Sequence, residues 1–121
     1  MHEMGIIAGV LDAVHASARD AGALRVLSIR LRVGEMTEVI EEALTFAFEA
    51  LTEDTMSEGA ELMVDWVKPK SVCLDCAEEF EHDRFHRICP SCGSYETVVV
   101  AGRELEIESI EVDLPDEEGS V

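Results

Sequence analysis

Apolar side chains recur at helical spacing through the first 21 residues. Ile7, Val10, Leu11, Val14, Ala18 and Ala21 fall on one stripe, and Asp12, Ser17 and Arg19 lie off it. The pattern predicts an amphipathic helix over residues 1–21, with Gly22 suited to end it. From Leu24 to Val33 the period becomes two. Leu27, Ile29, Leu31 and Val33 share one side, and Ser28, Arg30 and Arg32 the other. A strand with one buried face is expected there, closed by Gly34. Thr37 is the expected N-cap of a second helix, with Glu38, Glu41 and Glu42 near its positive end. Ile40, Ala43, Leu44, Ala47, Phe48 and Leu51 form its apolar stripe. Residues 52–59 are polar and read as a loop. Alternation resumes over 60–67, where Leu62, Val64 and Trp66 face one way, and Lys68-Pro69-Lys70 breaks this strand.

The last alternating stretch, 102–114, changes phase. Leu105 and Ile107 share one parity, whereas Ile110, Val112 and Leu114 share the other. A strand cannot swap faces without a surplus residue, so a β-bulge is expected at Glu108-Ser109. Glu104, Glu106 and Glu108 then lie on a polar face, ready to pair with Arg30 and Arg32 if this strand neighbours the first. Residues 116–121 carry charge without pattern and are expected to fray. Two amphipathic helices need a sheet to cover, and three one-faced strands supply it. The expected fold is α+β, with two helices on a three-stranded mixed sheet. The third strand follows residues 69–101, which therefore form an insertion. The expected domains are a discontinuous α/β domain, 1–68 plus 102–121, and a small zinc-ribbon module, 69–101.

The inserted stretch holds all four cysteines of the chain, as Cys73-Leu-Asp-Cys76 and Cys89-Pro-Ser-Cys92-Gly93. A CxxC turn brings two thiolates to one ion from a tight loop. Two such turns supply four sulfurs, which suits a tetrahedral, structural zinc ion without an open position. Pro90 and Gly93 fit the knuckle, since Pro presets one turn angle and Gly tolerates a left-handed one. Disulfides are the competing reading and need an oxidising compartment. A redox CxxC is another, but it ordinarily comes singly beside a βαβ pattern. Apart from the ligands, the apolar content of 70–101 is thin, so the module needs its metal to fold.

Charge narrows the class of partner. Among 121 residues, 27 are acidic and 9 basic, a net charge of −18. Phosphate binding depends on neutralisation by Lys and Arg, so the balance speaks against nucleic acid. It suits a soluble protein that meets cations or basic surfaces. No apolar run is long enough to span a bilayer, and no basic n-region marks a secretory signal. A cytoplasmic protein with reduced thiols is expected. No Ser–His–Asp arrangement, Gly-rich phosphate loop or HExxH motif suggests an enzyme.

The chain begins Met1-His2-Glu3. A free amine at residue 1 and an imidazole at residue 2 chelate a metal together with the backbone nitrogen between them, a nitrogen-rich set favoured by nickel(II) and copper(II). Deprotonated amides also offset the positive end of the helix dipole. Met1 is expected to be retained, because His2 is too large for its usual removal. The alternative is a solvent-exposed histidine near a chain end. His82 and His86, inside the zinc spacer, and His15, at the polar edge of the first helix, read as ordinary surface histidines. Glu35, Glu38, Glu41 and Glu42 read as helix-dipole and solvation chemistry, and Trp66, Phe46 and Phe48 as core or near-core.

Met1-His2-Glu3, the paired CxxC motifs at 73–76 and 89–92, and the α-β-α-β lead-in together resemble the HypA/HybF family of nickel metallochaperones in [NiFe]-hydrogenase maturation. The resemblance covers essentially the whole chain. It implies nickel at His2 with nitrogens of Met1 and Glu3, contact of Glu3 with a GTPase partner, and zinc at Cys73, Cys76, Cys89 and Cys92. It further implies a non-enzymatic carrier, with Zn2+ as structural metal and Ni2+ as cargo. Its expected partners are a HypB-like nickel-handling GTPase and the hydrogenase large subunit precursor, with neither nucleic acid nor membrane. The rival is a zinc-ribbon protein–protein adaptor that transfers no metal.

Overall fold

A computed structural model describes residues 2–83 and 85–115. Helix α1 spans Glu3–Asp20 and α2 spans Glu41–Thr52. Three strands, β1 (Arg25–Gly34), β2 (Glu61–Val67) and β6 (Leu105–Asp113), form a mixed sheet in the order β2-β1-β6. Between β2 and β6 lie β3 (Lys70–Cys73), β4 (Glu79–Glu81) and β5 (Thr97–Ala101), which form a second sheet ordered β4-β3-β5. The expected α+β fold with an inserted cysteine module is therefore found. By compactness the chain divides into Met1–Leu31 with Val39–Met63 and Ile107–Val121, and Arg32–Glu38 with Val64–Glu106.

In the first unit α1 packs on α2. Ile7, Leu11, Val14 and Ala18 of α1 and Leu44, Ala47 and Phe48 of α2 are buried, as their helical spacing requires. Val26, Ile29 and Leu31 of β1 complete this core. The α1 terminus closes as a Schellman motif. The Ala23 N–H donates to Ala18 O and the Gly22 N–H to Arg19 O, with Gly22 at φ +73°.

Three sequence expectations change here. Thr37 does not cap α2: it ends a short 3-10 turn, Glu35–Thr37, and its hydroxyl donates to Gly34 O. Helix α2 starts four residues later, after Ile40, which has no capping side chain of its own. The surplus strand residue lies in β1 rather than at Glu108-Ser109. Leu24 N–H donates to Asp113 O and Gly34 N–H to Glu104 O, so β1 spends ten residues where β6 spends nine. Burial agrees, passing from Val26 and Ser28 to Ile29, Leu31 and Val33. Arg32 Nη1 lies 3.6 Å from Glu106 Oε1, as the predicted charge pairing requires, and Arg30 Nη2 donates to Met63 Sδ among its contacts.

The third change concerns His15, which is not an ordinary surface histidine. Its Nε2 lies 2.7 Å from the Oγ of Ser57, which is fully buried. Desolvation, then the charge of Arg19, holds its pKa below the usual imidazole value against the pull of Asp12. The folded protein thus prefers the neutral ring. The unfolded chain takes up the proton first as pH falls, so stability is lost below an ordinary imidazole pKa of about 6.5. Thermal melts between roughly pH 7 and 5.5 should show a steeper decline for the wild type than for His15→Gln, by up to a few degrees. Parallel declines would show that His15 is not responsible.

In the second unit β3 is the central strand. It pairs antiparallel with β4 through Ser71↔Phe80 and Val72↔Glu79, and with β5 through Val72↔Val98 and Cys73↔Thr97. Its small apolar cluster is Cys73, Phe80 and Cys89. Phe85, Tyr95, Val98 and Val100 are exposed.

Candidate metal centre

Each CxxC pair folds into the same hydrogen-bonded knuckle. In the first, the Ala77 N–H donates to Cys73 O and the Cys73 N–H to Glu78 O; in the second, the Gly93 N–H donates to Cys89 O and the Cys89 N–H to Ser94 O. The fourth residue after each leading cysteine takes a left-handed backbone, with φ +66° at Ala77 and +75° at Gly93. Glycine adopts this at no steric cost, whereas alanine costs about 1 kcal/mol there. Ala77→Gly should therefore stabilise the metal-loaded module by about 0.5–1 kcal/mol in chemical denaturation, and an unchanged midpoint would refute the strain at Ala77.

The knuckles are joined across the chain by two further bonds. The Ser94 hydroxyl donates to Asp75 Oδ2 at 2.5 Å, and the Leu74 N–H donates to Glu96 O at 2.8 Å. Together they bring the four Sγ atoms within 4.8 Å of one another. Cys73 and Cys92 approach to 3.6 Å, and Cys76 and Cys89 to 3.5 Å. Sulfurs at the corners of a tetrahedron around zinc stand about 3.8 Å apart, so the donor set fits that ion. Each knuckle contributes one buried thiol, Cys73 or Cys89, and one exposed thiol, Cys76 or Cys92. When bound, the ion would supply a fixed crosslink between the knuckles.

The thiols do not ionise alike. Burial opposes ionisation of Cys89, but the N–H groups of Cys92 and Ser91 and the neighbouring Cys76 sulfur outweigh it and hold Cys89 down to about 7. The Glu78 N–H favours the Cys76 thiolate, yet the adjoining Cys89 sulfur and desolvation push Cys76 up to about 12. Metal binding needs thiolates, so loading the site must expel protons.

Of the histidines in the spacer, neither joins this cluster among the described residues. His86 is exposed and its Nδ1 lies 2.8 Å from the Asp83 carboxylate. His82 is half-buried, with Nε2 2.7 Å from Ser71 Oγ, so it braces β3 rather than standing free as a surface residue. Sequence reading missed Asp75 and Ser94, the pair that ties the knuckles; the Asp inside the first CxxC and the Ser after Gly93 are the only signal of it.

At the other candidate site, His2 is exposed and directly precedes α1, its carbonyl accepting the Ile6 N–H. Met1, whose amine belongs to the expected chelate, lies outside the described residues. Glu3 is only 5% exposed, and its Oε2 accepts the Ile40 N–H at 2.9 Å. Its carboxylate thus serves the entry to α2, replacing the cap that Thr37 was expected to provide.

The profile of the family described as hydrogenase/urease nickel incorporation, metallochaperone, hypA matches residues 1–112. The chain belongs to the HypA family. It is 40% identical over 113 residues to the hydrogenase maturation factor HypA of Chlorobium luteolum, covering 93% of this chain and 97% of that one. It is 44% identical over 110 residues to the HypA of Prosthecochloris aestuarii, covering 91% and 97%. The solution structure of the Ni metallochaperone HypA from Helicobacter pylori shares the fold, with a TM-score of 0.67 at 20% identity, over 95% of this chain and all of that one. HypA proteins are metallochaperone maturation factors, not enzymes, and the four-cysteine cluster is this member's metal-binding site. Among the described residues no helix is long and apolar enough to cross a membrane.

Proposed function

We propose that this chain carries Ni2+ at its N-terminus and delivers it during [NiFe]-hydrogenase maturation, while Cys73, Cys76, Cys89 and Cys92 hold a permanent structural Zn2+. The observation that carries the reading is the convergence of four thiols within 4.8 Å in a chain whose family profile concerns nickel incorporation. With all four thiols spent on a closed tetrahedral site, transferable nickel needs other donors. The Met1 amine, the His2 imidazole and the intervening backbone nitrogens, with Glu3 as neighbour, are a set suited to Ni2+. The exposure of His2 supports loading and release.

The protein works in the cytoplasm with reduced thiols. Residues 69–101 act as a metal-held module inserted in the nickel-binding domain, 1–68 plus 102–121. Its partners are a HypB-like GTPase and the large subunit precursor, and neither nucleic acid nor membrane is among them. Delivery is tested by incubating nickel-loaded protein with the precursor and separating the two. Nickel should move to the precursor from the wild type and not from a His2→Ala preparation treated identically. Equal transfer from both would refute the assignment and leave the zinc-ribbon adaptor as the better account.

A further inference from the structure

Phe46 breaks the pattern of α2. It is 69% exposed, whereas Phe48, two residues on, is 4% exposed and in the core. Glu42, Thr45, Phe46 and Glu49 follow one another at helical spacing along the outside of the helix. With Glu41 they line a shallow depression of about 420 Å³. Ile40, also exposed, extends the apolar surface at the helix start. The charge around it has one sign. Between Arg32 and Lys68 there are ten carboxylates and no Lys, Arg or His. Among the described residues, Glu41, Glu42 and Glu49 have no cationic partner.

We infer that this face of α2 docks a basic segment of a partner protein, which seats one apolar side chain on Phe46 and sets Lys or Arg side chains over Glu41, Glu42 and Glu49. An exposed aromatic ringed by polar groups is the usual form of an interface anchor. Uncompensated like charges around it raise the encounter rate with a cationic partner and reject anionic ones. A second copy of this chain would bring glutamates against glutamates, and a bound metal ion would leave Phe46 without a role. The Glu3–Ile40 bond joins the start of this face to the start of α1, the residue after His2, so the first turn of the face and the N-terminal site are neighbours. That proximity gives the surface its meaning only if the nickel-carrier reading above is correct.

The test uses zinc-loaded protein tagged at its C-terminus, with the GTPase and the large subunit precursor of the same organism as probes. Phe46→Ala and the double variant Glu42→Lys/Glu49→Lys should each weaken binding of at least one probe roughly tenfold or more. Wild-type binding of that probe should weaken between roughly 50 and 500 mM salt, and both variants should keep wild-type nickel stoichiometry. Unchanged binding of both probes by both variants would overturn the inference. So would loss of nickel in either variant, which would make the face part of the metal site. Self-association of the wild type that Phe46→Ala abolishes would assign it to a second copy instead. If the wild type binds no nickel while docking still depends on Phe46, the carrier reading falls and the docking surface stands.

Discussion

Serine in place of Cys89 should strip the metal from the module and unfold it. Two of the three residues in its apolar cluster are cysteines, Cys73 and Cys89, and only Phe80 is left without them. Of the other large apolar side chains in 69–101, Leu74, Phe85, Ile88, Tyr95, Val98 and Val100 are exposed and Val72 and Val99 are half-buried, so they contribute little burial. Structural zinc in finger peptides supplies about 10–16 kcal/mol, far more than three short strands hold by themselves. The expected readouts are zinc content falling well below one per chain and loss of amide protection in β3 and β5. Substitution of the exposed Cys76 or Cys92 should do less damage than that of the buried Cys73 or Cys89, because water satisfies a displaced polar group at the surface. A Cys89→Ser protein with full zinc content and native exchange protection would refute the metal-held description.

The second large effect is expected at Gly34, where β1 leaves the sheet. A Cβ there would collide with the backbone of Gly102 and with Arg103 N. Main chain cannot rotate aside as a flexible side chain does. The contact is held by two bonds, Gly34 N–H to Glu104 O and Met36 N–H to Gly102 O, each 2.7 Å. Gly102 is itself pressed against Pro69, whose Cα stands 2.8 Å from where a Cβ would be. Gly34→Ala should therefore cost about 3 kcal/mol and lower the melting temperature by roughly 10 °C or more. Gly9→Ala is the control. It lies inside α1 with nothing within 4 Å of an added Cβ, and should raise stability by about 1 kcal/mol. Equal melting temperatures for the two variants would contradict the close approach at Gly34.

Much of this architecture can be read from the chain because burial imposes period. The spacing of Ile7, Leu11, Val14 and Ala18 gave α1, and the CxxC pairs gave the metal cluster, since neither pattern depends on distant residues. What could not be read was set by contacts far apart in sequence. Thr37 has the chemistry of a helix cap, but Glu3 arrives from 37 positions away to take the Ile40 N–H, and the hydroxyl turns back to Gly34 O. The phase change in 102–114 was visible, yet the surplus residue sits in β1, because register belongs to the pair of strands and not to either alone. Phe46 looked like core by composition. Its exposure follows from the angular position of residue 46, opposite Leu44 and Phe48, which the apolar stripe already implied. His15 found a buried hydroxyl at Ser57 that no local pattern announces.

The central claim is that nickel is held by His2 and the nitrogens at the start of the chain, apart from the four-cysteine site. The most direct measurement is nickel titration of zinc-loaded protein with a native, untagged N-terminus, followed by absorption spectroscopy beside His2→Ala. One nickel per chain with a square-planar spectrum, abolished in His2→Ala while zinc stays bound, is the predicted result. Absence of binding, nickel that displaces zinc from Cys73, Cys76, Cys89 and Cys92, or an unchanged titration in His2→Ala would contradict it.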